Sequence, residues 1–268
     1  MELTLAHSPD ADDAYMFYGI ASGAVKSRFA FKEFLADIET LNKLAVGGAS
    51  LDFTALSAAA LGFTDGYYVL RVGASMGDGY GPVVVTARRS GDIKLVAIPG
   101  RYTTAALLLK LAMPEAKTVE VPFDRILDAV SAGVVDAGVL IHEGQITYGR
   151  MGLRKVLDLG EWWLREKSLP TPLGVDAVRK ALGLDVAEEL KRLLSESIKY
   201  AEAHREDALR YASRFSRGLP MDDVARFVDM YVNEYTRDMG RRGEEAIREL
   251  LSEAKRRGLV ELGDAEFV

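Results

Sequence analysis

Two segments of the chain follow one plan, and their repetition constrains the fold more than any other feature. In "ETLNKLAVGGASLDFTALS" and "DRILDAVSAGVVDAGVLIH" a helix-forming stretch ends near a glycine, and an aspartate then opens an apolar strand. At a constant offset of 84 residues, Ala45 matches Ala129, Val46 matches Val130, Asp52 matches Asp136 and Leu56 matches Leu140. A helix that delivers the chain into a strand belongs to a βαβ unit, whose crossover is right-handed. Two such units predict two parallel sheets of similar build, and therefore an α/β chain with two lobes. Ligands of open α/β sheets collect outside the carboxyl ends of the strands. The two repeated strands end near Ser57 and His142, so those ends are expected to face each other across an interdomain cleft.

Periodicity extends this reading along the chain. "LTLAHS", "FAFKEFLAD", "LDFTALS", "GPVVVTARR", "KLVAIPG", "TVEVPF" and "DAGVLIH" read as strands. A helix is expected from Ser8, with Ser8 as its cap and Pro9 in its first turn. Asp10, Asp12 and Asp13 then favour its positive end. Phe17, Ile20, Ala21 and Ala24 would face a core. After about residue 175 only helices are expected, with Leu190, Leu193, Leu194 and Ile198 as one apolar stripe packing back on the first lobe. The crossings between lobes fall at "GPVVVTARR" and "LPTPLGVD", where Pro170 and Pro172 enforce extended backbone. One lobe would hold residues 1–87 and 173–268, the other residues 88–172.

Composition removes whole classes of function. Acidic and basic residues are mixed along a chain of net charge −6, without the clustered basic footprint of a nucleic-acid binder. The chain has no cysteine, which excludes disulfides, thiolate metal sites and cysteine nucleophiles. No stretch approaches the ~20 apolar residues that span a bilayer, so membrane insertion is not expected. "MELTLAHSPD" lacks a basic n-region and an apolar run, which points to the cytoplasm.

Four constellations could carry chemistry. His142 follows a buried-looking strand and is broken off at once by Gly144. It is either a strand-capping histidine or a general base titrating near neutral pH, with Glu143 to orient it or simply solvated. In "AIPGRYTTAALLLKLA", Thr103 or Thr104 caps an apolar helix whose N-terminus suits a carboxylate or phosphate, or merely connects strand to helix. The lysine and spaced glycines of a P-loop are missing, which disfavours nucleotide triphosphates. His7 with Asp10, Asp12 and Asp13 fits no EF-hand or zinc signature, and the helix dipole already accounts for the aspartates. The glycine-rich "VGASMGDGYGPVVV" is a flexible loop in which Met76 or Tyr80 could line an apolar pocket. His204 reads as solvated, and Trp162 and Trp163 as anchors of a lobe.

Taken in order, "HSPDADDAYMFYGI", "DFTALSAAA", "GPVVV", "IPGRYTTAALLL", "GVLIHEGQITY", "LGEWW" and "PTPLG" resemble the menaquinone-biosynthesis enzymes of the futalosine route, most closely the naphthoate-forming ones. The resemblance runs over roughly residues 3 to 175. It implies a type II periplasmic binding protein-like fold and a lyase that converts cyclic dehypoxanthinyl futalosine to 1,4-dihydroxy-6-naphthoate without metal or cofactor. By motif it assigns His142 as catalytic base and Ala55, Leu56 and Ser57 as the first substrate-contact segment. It assigns Thr103 and Thr104 to the helix start that receives the carboxylate of a small-molecule substrate. The opening departs from the family's Ser-Pro-Cys-Pro-Asn-Asp pattern: "SPDADD" puts Asp12 where the Asn stands, which leaves the substrate and its contacts at that end open. Two other readings share the fold. One is a solute-binding receptor for a small anion, and the other is the chorismate dehydratase of the same pathway.

Overall fold

The computed structural model describes residues 1–89 and 91–268. Its strands are β1 (Glu2–His7), β2 (Ala30–Leu35), β3 (Phe53–Ser57), β4 (Tyr67–Val69), β5 (Ser75–Gly77) and β6 (Val83–Thr86). They continue with β7 (Leu95–Ile98), β8 (Lys117–Glu120), β9 (Ala137–Leu140), β10 (Arg154–Asp158), β11 (Thr171–Arg179) and β12 (Glu266–Phe267). Two sheets result, ordered β12-β4-β11-β3-β1-β2, with β5 also on β11, and β10-β6-β9-β7-β8. The repeat is visible in both: β2-β1-β3 and β8-β7-β9 are parallel triplets of the same order.

Neither sheet is wholly parallel, which corrects the expectation. β11 runs antiparallel to β3, and β6 runs antiparallel to β9. The reason is topological. Each of these strands enters its sheet after crossing from the other lobe, beginning where the parallel strands end, so it must run the opposite way. Because β6 lies in the second sheet, the first crossing falls at residues 78–82 rather than after residue 87. "LPTPLGVD" is likewise more than a crossing. It opens β11, the strand that pairs with β3, β4 and β5, and a register shift between Pro172 and Gly174 accommodates the missing proline N–H. The chain is also not purely helical beyond residue 175, since β11 continues to Arg179 and β12 adds a parallel edge to β4.

The helices surround these sheets. They are α1 (Ala11–Ala21), α2 (Ile38–Val46), α3 (Thr104–Ala112), α4 (Ile126–Ser131), α5 (Gly144–Thr147) and α6 (Leu159–Lys167). The tail forms α7 (Leu184–Ala203), α8 (Arg205–Ala212), α9 (Met221–Tyr231), α10 (Glu234–Arg237) and α11 (Gly240–Arg256). Burial of Leu190, Leu193, Leu194 and Ile198 holds α7 on the first lobe, at about 1.5–3 kcal/mol per side chain. The tail reaches further than expected. Leu250 and Ala254 of α11 pack in one cluster with Val84, Leu108 and Trp163 of the second lobe. Trp163 is fully buried and donates its indole N–H to the Pro170 carbonyl at 3.1 Å.

α1 starts later than the sequence suggests. Asp10 occupies the cap position but makes no capping hydrogen bond. Ser8 caps nothing; its amide and hydroxyl both donate to Asp13 Oδ2, at 2.9 and 2.7 Å. Phe17 faces the core, whereas Ala21, the last residue of α1, and Ala24, beyond its end, are exposed.

Candidate active site

The carboxyl ends of β3 and β9 border one cleft of about 710 Å³, counting the space at its mouth. Ala55, Leu56, Ser57, Thr103, Thr104 and His142 all line it. Met76 and Tyr80 do not. Met76 is sealed in the core of the first lobe, and the Tyr80 hydroxyl is turned to the Met230 carbonyl. From that glycine-rich loop it is Gly73, Ser75 and Pro82 that reach the cleft. The Ser57 end of β3 is fixed by Asn42 of α2, which donates to Ser57 Oγ at 3.0 Å and accepts the Ser57 amide at 2.9 Å.

His142 lies two residues beyond β9, with φ of +53°, a left-handed conformation uncommon for a non-glycine residue. Such backbone cost clusters at functional sites. Its Nδ1 lies 3.1 Å from Asp10 Oδ2, and its ring meets Phe123 edge to face at 5.0 Å between centroids. The Asp10 contact has ion-pair distance without hydrogen-bond alignment. A carboxylate only accepts, so this neighbour favours the hydrogen on Nδ1 and leaves the Nε2 lone pair free. Nε2 is buried and has no partner among the described residues.

Asp10, not Glu143, is therefore the group that addresses the imidazole. Glu143 is buried rather than solvated and accepts from Arg217 at 2.8 Å. Burial, then the charge of Asp10, pushes its carboxyl up, against the opposing pull of His142 and Arg217. Arg217 also lies 2.9 Å from Asp10 Oδ1, with its guanidinium over the Phe123 ring. Nothing in "SRGLP" announces that role.

The start of α3 presents a helix N-terminus to the cleft. Thr103 caps the helix by accepting from the Ala106 amide at 3.2 Å, and its hydroxyl donates to Gly100. Thr104 Oγ1 donates to the Leu173 carbonyl at 2.7 Å and accepts the Ala59 amide at 3.1 Å, tying α3 to the first lobe. Both hydroxyls are thus occupied. Among the described residues, the amides of Thr104 and Ala105 have no protein acceptor. They sit at the positive end of the helix dipole, where a carboxylate is favoured. Gly100 has a packing reason: a Cβ there would lie 2.2 Å from the Glu39 carboxyl carbon. Glu39 comes from α2 in the first lobe and accepts the Tyr102 amide at 3.1 Å, a second tie across the cleft.

A group of carboxyls completes the lining. Asp12, Asp13 and Asp176 all face the cleft and are buried. Burial, followed by the charges of Asp13 and Asp10, raises Asp12 well above the usual carboxylate range. Burial and the charge of Asp13 do the same to Asp176. Asp13 is raised less, because His7 and the Ser8 hydrogen bonds counter the cost of burial. His7 itself contacts the Ser8 carbonyl at 2.9 Å and Glu33 at 3.5 Å. Of these groups Asp176 had a signal in the sequence, a lone acid inside an apolar strand. The partners of Asp10 had none, since the helix dipole was a sufficient local account. His204 stacks on Tyr200 outside the cleft lining.

Residues 3–256 match the protein family described as "Menaquinone biosynthesis". A Thermus thermophilus protein described as 1,4-dihydroxy-6-naphthoate synthase is 41% identical over 261 residues, 96% of each chain. A crystal structure of a protein from Archaeoglobus fulgidus superposes with a TM-score of 0.93 at 47% identity, covering 97% of this chain and 98% of that one. The alkanesulfonate-binding protein SsuA of Xanthomonas axonopodis gives a TM-score of 0.71 at 14% identity, covering 97% and 94%. That last likeness shows the fold alone: two lobes of the periplasmic binding protein type.

Proposed function

The chain belongs to the menaquinone biosynthesis family, and on that footing we propose that it is a 1,4-dihydroxy-6-naphthoate synthase, a lyase acting on cyclic dehypoxanthinyl futalosine. The observation that carries the site assignment is His142, half-buried in the cleft with Nδ1 3.1 Å from Asp10 and a buried Nε2 that has no partner among the described residues. In this reading the substrate carboxylate docks on the free amides of Thr104 and Ala105. Ala55, Leu56 and Ser57 support the substrate from the first lobe.

Nε2 of His142 then takes a proton from the bound substrate. The electrons left behind enter the forming aromatic ring as the bond to the departing fragment breaks. Asp10 faces the imidazolium so produced, and the imidazolium returns its proton to the fragment. A base of this kind contributes ~10²–10⁴-fold, and the ordered cleft contributes through positioning. Each step uses groups of this chain. A closed cleft also keeps water from the intermediate.

A receptor for small anions shares the fold but stands at 14% identity, against 41% for the synthase relative. We also read the enzyme as cytoplasmic and as having a small-molecule partner rather than nucleic acid. No helix among the described residues is long and apolar enough to cross a membrane. Purified protein incubated with cyclic dehypoxanthinyl futalosine is expected to release 1,4-dihydroxy-6-naphthoate, followed by its fluorescence. A folded sample that binds the compound and leaves it intact would instead support a receptor.

A further inference from the structure

We infer that Asp176 and Asp12 form a hydroxyl-binding subsite in the cleft, one that holds an uncharged, polyhydroxylated part of the ligand. The inference deepens the lyase proposal and rests on it for the identity of the ligand. Asp176 projects from β11 between Val175 and Ala177, both core residues, and is only 1% exposed. Among the described residues neither of its carboxyl oxygens has a partner, although the residue lines the cleft. Its backbone is satisfied by the Leu70 amide at 2.9 Å, so the lack is confined to the side chain.

Room has been left for it. Gly73 has φ of +83°, and a Cβ there would lie 2.2 Å from Asp176 Oδ2. Asp12, at 9% exposure, adds a third oxygen without a partner among the described residues, its Oδ1, and lines the same cleft. An acid buried without a partner costs the fold stability that an apolar residue would not. What offsets that cost is a ligand.

The chemistry of the ligand follows from the state of the acids. Burial and the neighbouring Asp13 favour the protonated form of both groups. A carboxylic acid offers one donor and one acceptor, the pattern that vicinal hydroxyls complement. Among the described residues no group of three or more His, Cys, Asp or Glu is arranged to hold a metal. The anionic end of a ligand has its own place at α3.

Affinity for cyclic dehypoxanthinyl futalosine, measured by calorimetry in a His142→Asn background that blocks turnover, tests the subsite. Asp176→Asn keeps a donor and an acceptor and is expected to bind within about threefold of its parent. Asp176→Leu is expected to lose about tenfold or more. The melting temperature of the ligand-free Asp176→Leu protein is expected to rise, which a merely structural role would not give. Asp12→Asn and Asp12→Leu repeat the comparison should Asp176→Leu fail to fold. Equal losses for Asn and Leu would mean that the negative charge is used, and would overturn the proposal. No loss in either variant would overturn it too. Naphthoate release by the wild type reads the lyase proposal alone, and the Asn-against-Leu order reads the subsite alone.

Discussion

At the scale of single residues, the site depends on what Asp10 and Asp176 do inside the protein. Asp10 is 1% exposed and touches both His142 and Arg217. In the lyase reading, Asp10→Asn lowers kcat ~10²-fold and changes KM little, because the imidazole loses its orienting partner while the docking amides of α3 remain. Steady-state kinetics check this, and a rise in KM at constant kcat would contradict it. Asp176 gives a stability prediction. Its native pKa is raised by burial and by Asp13, so the native state prefers the neutral acid. Below the unfolded-state value of ~3.9 the group is protonated in both states, and ionisation has no effect on folding. As pH rises past that value the unfolded chain ionises first, and the native state loses stability until Asp176 ionises as well. Asp176→Asn removes this loss, so its advantage in melting temperature over the wild type grows from about pH 4 upward; a constant difference would show that Asp176 is not held neutral. His142 was legible in the sequence because an apolar strand led straight to it. Asp10 and Arg217 were not, because their meeting depends on a fold that brings the start of α1 to the loop before α9.

At the scale of elements, α3 is positioned by its first two residues. Thr103→Ala removes the cap and is expected to cost about 1 kcal/mol in denaturant unfolding. Thr104→Val keeps the shape but leaves the Ala59 amide and the Leu173 carbonyl without their partner. A loss of about 2 kcal/mol is expected, with a higher KM because α3 is no longer tied to the first lobe. A variant with unchanged unfolding midpoint would contradict that role for the hydroxyl. Sequence patterning found the strands that alternate or run apolar, β1 to β3 and β6 to β9. It passed over β4, β5 and β12, which are two or three residues long and too short for a period. β10 was missed because Arg154 and Lys155 are polar and exposed. Proline argues against a strand, so the sequence of β11 reads as a connection, whereas in the fold a register shift absorbs the proline. Spacing puts Thr103 and Thr104 at a helix start, but it does not show that both hydroxyls are already engaged.

At the scale of the whole molecule, the two lobes meet through contacts that share residues with the site. Lys43 reaches Glu120 at 2.9 Å, Glu39 takes the Tyr102 amide, and Arg217 joins Asp10 to Glu143. The repeat of helix, glycine, aspartate and strand made this duality legible. The antiparallel insertion of β6 and β11 was not, because strand direction follows from where the chain crosses rather than from local pattern. Arg217→Ala frees one tie between tail and lobes. It is expected to raise KM about fivefold, with a larger radius of gyration in solution scattering; an unchanged radius and KM would show that closure does not depend on it. The central claim is that one imidazole in a closed cleft starts the fragmentation of the bound substrate. Its most direct test compares wild type and His142→Asn for both binding and turnover of cyclic dehypoxanthinyl futalosine, asparagine being chosen because it tolerates the left-handed backbone at position 142. The account predicts equal affinity within a few fold and naphthoate release slowed by at least ~10²-fold in the variant. Turnover at the wild-type rate by a well-folded His142→Asn protein would contradict it.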